Sequence, residues 1–213
     1  MNEQAIDIPC PICSAVGKVK MMSHIDEIPY FGEHTQVTLL CDHCGWRQTD
    51  FIPAEGKKAG AWSITIDDEE KLRARVVRSS SCTVSLPELD LLVNPGSSAT
   101  GYVSNIEGVL QRFLEVIRMV ERDLVAEFND GNERERSSRM EQLATLQSMA
   151  LTIERLGTTD GEALRLDLLD PHGHSMILHE DAVERDLTED ELANLPVGPD
   201  PAVFSSEDVN EST

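Results

Sequence analysis

The apolar positions of this chain follow two different periods. Near its start, alternation of apolar and polar side chains predicts two strands, over about 18–23 and 35–40, joined by residues 24–33. That connection is unusually apolar for a loop. Its Ile25, Ile28, Tyr30 and Phe31 either fold back as a small core or form a hydrophobic tip for a protein partner. Beyond a hinge at 56–60, short alternating runs at 62–66, 73–77, 82–86 and 89–93 read as further strands. The period then changes from two to that of a helix. Ile106, Val109, Leu110, Phe113, Ile117, Val120 and Leu124 recur in steps of three and four, behind a capping box of Ser104 and Glu107. A second helix, about 133–156, offers Met140, Leu143, Leu146, Ala150 and Ile153 and stops at Gly157. An antiparallel helical hairpin is the economical packing of the pair.

Strand alternation returns at Leu164, Leu166 and Leu168 and again over 175–178. Between these runs, Asp170-Pro171-His172-Gly173 suits a type I turn. Thr188 and Glu191 form a second capping box, opening a short helix before Pro196. The helical hairpin therefore interrupts one β domain. The expected organisation is a four-cysteine finger over 1–58, a β domain over 59–195 carrying the hairpin at about 104–157, and an acidic disordered tail over 196–213.

Charge narrows the function. The 213 residues carry 39 Asp and Glu against 18 Lys and Arg, a net charge of −21, which argues against a protein that coats nucleic acid. Only five of the basic residues are lysines and aromatics make up 4%, a balance that suits a protein working in molar salt, where screening over about 3 Å relieves self-repulsion. No run of roughly 18 apolar residues is present, and residues 1–8 lack a basic segment followed by an apolar one, so the expectation is a cytoplasmic monomer with no membrane contact.

Four of the five cysteines form two knuckles, Cys10-Pro-Ile-Cys13 and Cys41-Asp-His-Cys44. Two residues between paired thiolates let both sulfurs face one point while backbone amides turn toward them, and two such knuckles close a tetrahedral shell. Gly17 and Gly45 suit the tight turns this requires. Zinc is favoured because nothing else in the chain is redox apparatus, although a rubredoxin-type iron site uses the same ligands. A closed shell leaves no position for substrate, so the one metal is expected to be structural. Two disulfides are disfavoured in a cytosolic setting, and a redox CxxC is disfavoured because Val37 and Leu39 suggest a strand running into Cys41. His24, His34 and His43 are read as surface or supporting residues, and Cys82 as a buried thiol.

Signs of catalysis are weak. His172, His174, His179 and Glu180 resemble the metal triad of cupin-type enzymes, but the spacing is poor, and a solvated hairpin tip explains the same residues. The carboxylate pairs at Asp67-Asp68 and Glu69-Glu70 read as a solvated turn. No phosphate loop or nucleophile elbow is present. A non-enzymatic protein is expected, with a zinc-ribbon transcription or RNA-associated factor and a cupin-like metalloenzyme as the alternatives.

Several short motifs, taken in order, resemble the ZPR-type zinc-finger family, whose eukaryotic members bind translation elongation factor 1-alpha. The matching residues are the Cys10 knuckle, Ile28-Pro29-Tyr30-Phe31, Cys41-Asp-His-Cys44-Gly45, residues 60–66, Arg78-Ser79, Leu86-Pro87-Glu88-Leu89, Ile106-Glu107-Gly108-Val109-Leu110 and Asp170-Pro171-x-Gly173-x-Ser175. The resemblance covers about 8–195 and implies a zinc finger followed by a double-stranded β-helix-like domain carrying a helical hairpin. It also implies zinc on Cys10, Cys13, Cys41 and Cys44, and a chaperone-like role toward elongation factor 1-alpha. Eukaryotic members carry the unit twice; this chain is similar to single-copy archaeal members, and its acidity suits a haloarchaeal source. An apolar tip at Ile28, Tyr30 and Phe31, held out by the metal, is the expected partner surface.

Overall fold

A computed structural model describes residues 2–29, 31–54, 58–96, 99–127 and 132–196. The first sheet is an antiparallel meander of β1 (Asn2–Ile6), β2 (Val19–Ile28), β3 (Gly32–Cys41) and β4 (Arg47–Pro53), ordered as in the chain. The segment expected to be a loop is strand instead. β2 and β3 pair from Val19 opposite Cys41 to Ile28 opposite Gly32, so the connection shrinks to residues 29–31. Phe31 N–H donates to the Ile28 carbonyl and Gly32 takes φ +79°, a conformation that a side chain would strain. Pro29 and the charges around it mimic a longer loop because ladder pairing does not depend on apolar side chains at every position.

The second region is a β sandwich. Its larger sheet runs β12 (Val183–Asp186), β5 (Gly60–Ile66), β10 (Leu164–Asp170), β7 (Thr83–Leu86), β8 (Leu91–Val93). Its smaller sheet runs β11 (Met176–Leu178), β6 (Arg75–Arg78), β9 (Tyr102–Asn105). Central β10 pairs antiparallel with β5 along its whole length and with β7 on the other edge. Ile64, Ile66, Val84, Leu86, Leu164, Leu166 and Leu168 are buried in the resulting core. The fold is a four-cysteine ribbon followed by a jelly-roll-like β domain with helical elements.

Two helices cover the core. In α2 (Ile106–Ala126), Ile106, Val109, Leu110, Phe113, Leu114 and Ile117 are buried, whereas Val120 is exposed and Leu124 only half-buried. The expected stripe therefore runs past the part of the helix that lies on the sheet. α3 (Glu133–Glu154) returns beside α2 and buries only Ile153; Met140 is exposed, while Leu143, Leu146 and Ala150 are half-buried. The α2 cap is Asn105, whose side chain accepts from Gly108 N–H, rather than Ser104, which pairs with Val76 in β9. The carboxylates at 67–70 form no solvated turn: Asp68 caps the single-turn helix α1 (Glu69–Leu72), and Asp67 and Asp181 hold the buried Lys71 ammonium at 2.6 and 3.0 Å. The capping box of Thr188 and Glu191 opens α4 (Glu189–Asn194) as expected. The tail expected to be disordered lies, from residue 197 on, outside the described residues. Among the described residues, no helix is long and apolar enough to cross a membrane.

Candidate metal centre

The two knuckles sit where the ribbon turns, the first between β1 and β2 and the second between β3 and β4. β3 ends at Cys41, whose N–H donates to the Trp46 carbonyl while its own carbonyl accepts from Gly45 N–H at 2.9 Å. Gly45 at φ +76° permits that turn; in the first knuckle, Ser14 at φ +57° donates to the Cys10 carbonyl. Ile6, Val19 and Leu39 pack with Cys10 and Cys41, and Ile8, Met21 and Trp46 flank them.

The four sulfurs face one another. Cys10 Sγ lies 3.7 Å from Cys44 Sγ and Cys13 Sγ 3.8 Å from Cys41 Sγ, and all four ligand atoms fall within 4.8 Å. Thiolates about 2.3 Å from a tetrahedral zinc stand about 3.8 Å apart, so the set fits a single zinc ion. Burial pushes the Cys10 thiol up, but the amides of Cys13 and Ile12 outweigh it and bring the group down to about 7. The Ala15 amide pulls Cys13 down, yet burial and the neighbouring sulfurs carry it up to about 12. A bound cation offsets the negative charge that thiolates gather at such a site. A closed shell of four thiolates offers no open coordination position, so the zinc it would hold is structural and not catalytic.

Further along β4 the ribbon joins the β domain through buried polar groups. Asp50 of β4 accepts from Ser80 N–H at 3.0 Å and Ser80 Oγ at 2.6 Å, and Gly101 N–H donates to the Thr49 carbonyl at 2.8 Å. A Cβ at Gly101 would stand 2.8 Å from Asp50 Oδ1, so only glycine fits this close approach. Behind it, Asp170 accepts from Ser79, Ser81 and Ser175 hydroxyls at 2.7–2.8 Å and from His172 N–H at 3.0 Å. Burial alone would raise the Asp170 carboxyl; the three serine bonds hold it below the usual carboxylate range. Arg78-Ser79 and Asp170 to Ser175, quoted above as separate motifs, are thus parts of one buried network.

That network also corrects the reading of a solvated tip at 170–175. Asp170 and Ser175 are buried, and His172 and His174 are half-buried. Their rings lie 5.9 Å apart, whereas His179 accepts from Asp181 N–H in another turn, so the cupin-like set is not assembled. Among the described residues, only the four cysteines gather as a candidate metal cluster. His34 is no surface residue: it is buried, with Nδ1 3.0 Å from the Gly32 carbonyl. Cys82 is buried as expected, and burial pushes its thiol up to about 12. At the ribbon tip Ile28 is half-buried and Phe31 is buried, while Tyr30 lies outside the described residues. Phe31 therefore sides with the fold-back reading of this segment.

Ribbon, metal centre and sandwich together define a zinc-ribbon protein whose finger is bonded to a jelly-roll domain. The ZPR1 zinc-finger domain model matches residues 4–58 and the ZPR1 jelly-roll domain model matches 70–194. The chain belongs to the ZPR1 family. It is 38% identical to a ZPR1-like protein of Pyrococcus horikoshii over 190 residues, 89% of this chain and 80% of that one. Over 197 residues, 92% of this chain and 91% of the relative, it is 35% identical to a ZPR1-like protein of Methanocaldococcus jannaschii. A protein of Schizosaccharomyces pombe named as a zinc finger chaperone is 32% identical over 114 residues, 53% of this chain but 24% of that protein.

Proposed function

We propose that this chain binds translation elongation factor 1-alpha and assists its folding or handling, as a single-unit, non-enzymatic zinc protein. The observation that carries this reading is the presence of both family domains in one chain, shared in part with a relative named as a chaperone. In physical terms, zinc on Cys10, Cys13, Cys41 and Cys44 clamps the base of the ribbon. The far end of β2 and β3 is then offered to a client at little ordering cost. Ile25, 62% exposed, supplies apolar surface there, and Phe31 anchors the turn from inside; Tyr30 is the further contact residue that the sequence suggests. A net charge of −21 disfavours the nucleic-acid reading and suits a cytoplasmic monomer working in molar salt, as in a haloarchaeal cell.

The test is refolding of denatured elongation factor 1-alpha, from the same organism, with the zinc-loaded chain at increasing molar ratio. The yield of nucleotide-binding factor should rise with the chain and fall back with Ile25→Ser or Tyr30→Ala. An unchanged yield at all ratios would contradict the reading.

A further inference from the structure

A cavity of about 400 Å³ lies away from the four metal-site cysteines, between β7, β8, β9 and the start of α2. That is within the usual size of small-molecule sites. Its walls are mainly apolar, with Val84, Val93, Phe113 and Val116 among them, and Arg78 and Arg112 are its two basic residues. Both guanidinium groups address one ring: Arg112 Cζ lies 4.1 Å and Arg78 Cζ 5.8 Å from the centroid of Tyr102.

Arg78 is unusual for this chain. It is only 6% exposed, it donates to the carbonyls of Cys82 and Thr100 at 2.6 and 3.3 Å, and its buried Nε has no partner among the described residues. A buried charge normally has a counter-charge. The chain has 39 carboxylates, yet among the described residues none forms an ion pair with Arg78 or Arg112, and Glu115 is the only carboxylate on the cavity wall. We infer that the counter-charge is brought by a ligand: the cavity takes a carboxylate with a hydrocarbon flank, the acid group toward Arg78 and Arg112 and the flank against the valines and Phe113. Phosphate fits less well, because a dianion needs more donors than these walls supply. A free carboxylic acid and the C-terminus of a polypeptide share this chemistry.

The test uses the full zinc-loaded chain and follows the Gly101 and Tyr102 amide signals and Arg78 Nε–H by NMR. The probes are hexanoate, hexanamide, inorganic phosphate, and a short peptide ending in leucine with its C-terminus free or amidated. Hexanoate or the free peptide should give saturable shifts, with the matching amide weaker by about tenfold or more. Arg112→Gln, on an exposed helix position, should weaken binding by about fivefold or more without altering melting. Tighter binding of the peptide would assign a polypeptide C-terminus, and tighter binding of hexanoate a small acid. Absence of saturable shifts, equal binding of acid and amide, phosphate binding as tight as hexanoate, or an Arg112→Gln variant that binds normally would each overturn the inference.

Discussion

Around its cysteines the four-stranded ribbon gathers five buried core residues among those described, two of them metal ligands, while the β domain gathers nineteen around β10 and α2. Ladder pairing is extensive in both, with ten residue pairs between β2 and β3 and seven between β10 and β5. Backbone pairing is thus comparable, and the apolar core is not. A sheet without a sufficient core needs a covalent or metal staple, which the four sulfurs supply. The β domain needs none. What couples the two is polar, the Asp50 to Ser80 bonds and the bond from Gly101 N–H to the Thr49 carbonyl.

Substitution at the metal should separate the two regions most strongly. Cys41→Ser should take zinc from one equivalent to none by elemental analysis and melt the ribbon, since structural zinc contributes on the order of 10 kcal/mol to such folds. The β domain should keep a cooperative thermal transition; loss of both transitions together would break the comparison. The buried network comes next. Asp170→Ala leaves three serine hydroxyls without their acceptor and should cost the β domain about 3 kcal/mol in urea unfolding. Asp50→Ala should cost about 2 kcal/mol at the junction, seen as faster amide exchange near Ser80 while zinc content stays at one. Smaller still, Gly101→Ala should cost about 1–3 kcal/mol through overlap with Asp50, read as a lower melting temperature.

Acid should take the regions apart in order. Protons compete with zinc for thiolates, so the ribbon gives way first as pH falls. The Asp170 carboxyl is held below its ordinary value in the folded state, so its stabilisation is complete above the unfolded value of about 4 and is lost as pH falls through the folded one. Glu191, brought down to about 2 chiefly by Arg185, acts in the same direction and window. Circular dichroism and zinc release followed together should show two steps; a single step would mean the regions fold as one unit.

How much of this was legible in the chain depended on distance along it. The knuckles, α3, β5, β10 and the Thr188 capping box were readable because their signals are local: spacing, period and cap chemistry. β1, β4, β9 and β12 were missed, because their residues are largely polar and the pairing that makes them strands is set by partners elsewhere in the chain. The junction was invisible for the same reason. Asp50 and Ser80 are 30 positions apart and Ser79 and Asp170 are 91 apart, and no periodicity marks such a pair. Ser104 and Glu107 have capping-box spacing and so suggest the α2 cap, but β9 already uses Ser104 and the cap falls on Asn105.

In the proposed function, zinc makes a binding surface out of a ribbon whose own apolar core is small. The direct measurement is the affinity of the chain for elongation factor 1-alpha from the same organism, titrated by calorimetry in molar KCl, with and without guanine nucleotide, for zinc-loaded and chelated protein. Saturable binding by the loaded chain, lost on chelation and in Cys41→Ser, is the predicted result. Equal binding by loaded and chelated protein, or no binding to either the native or the refolding factor, would contradict it.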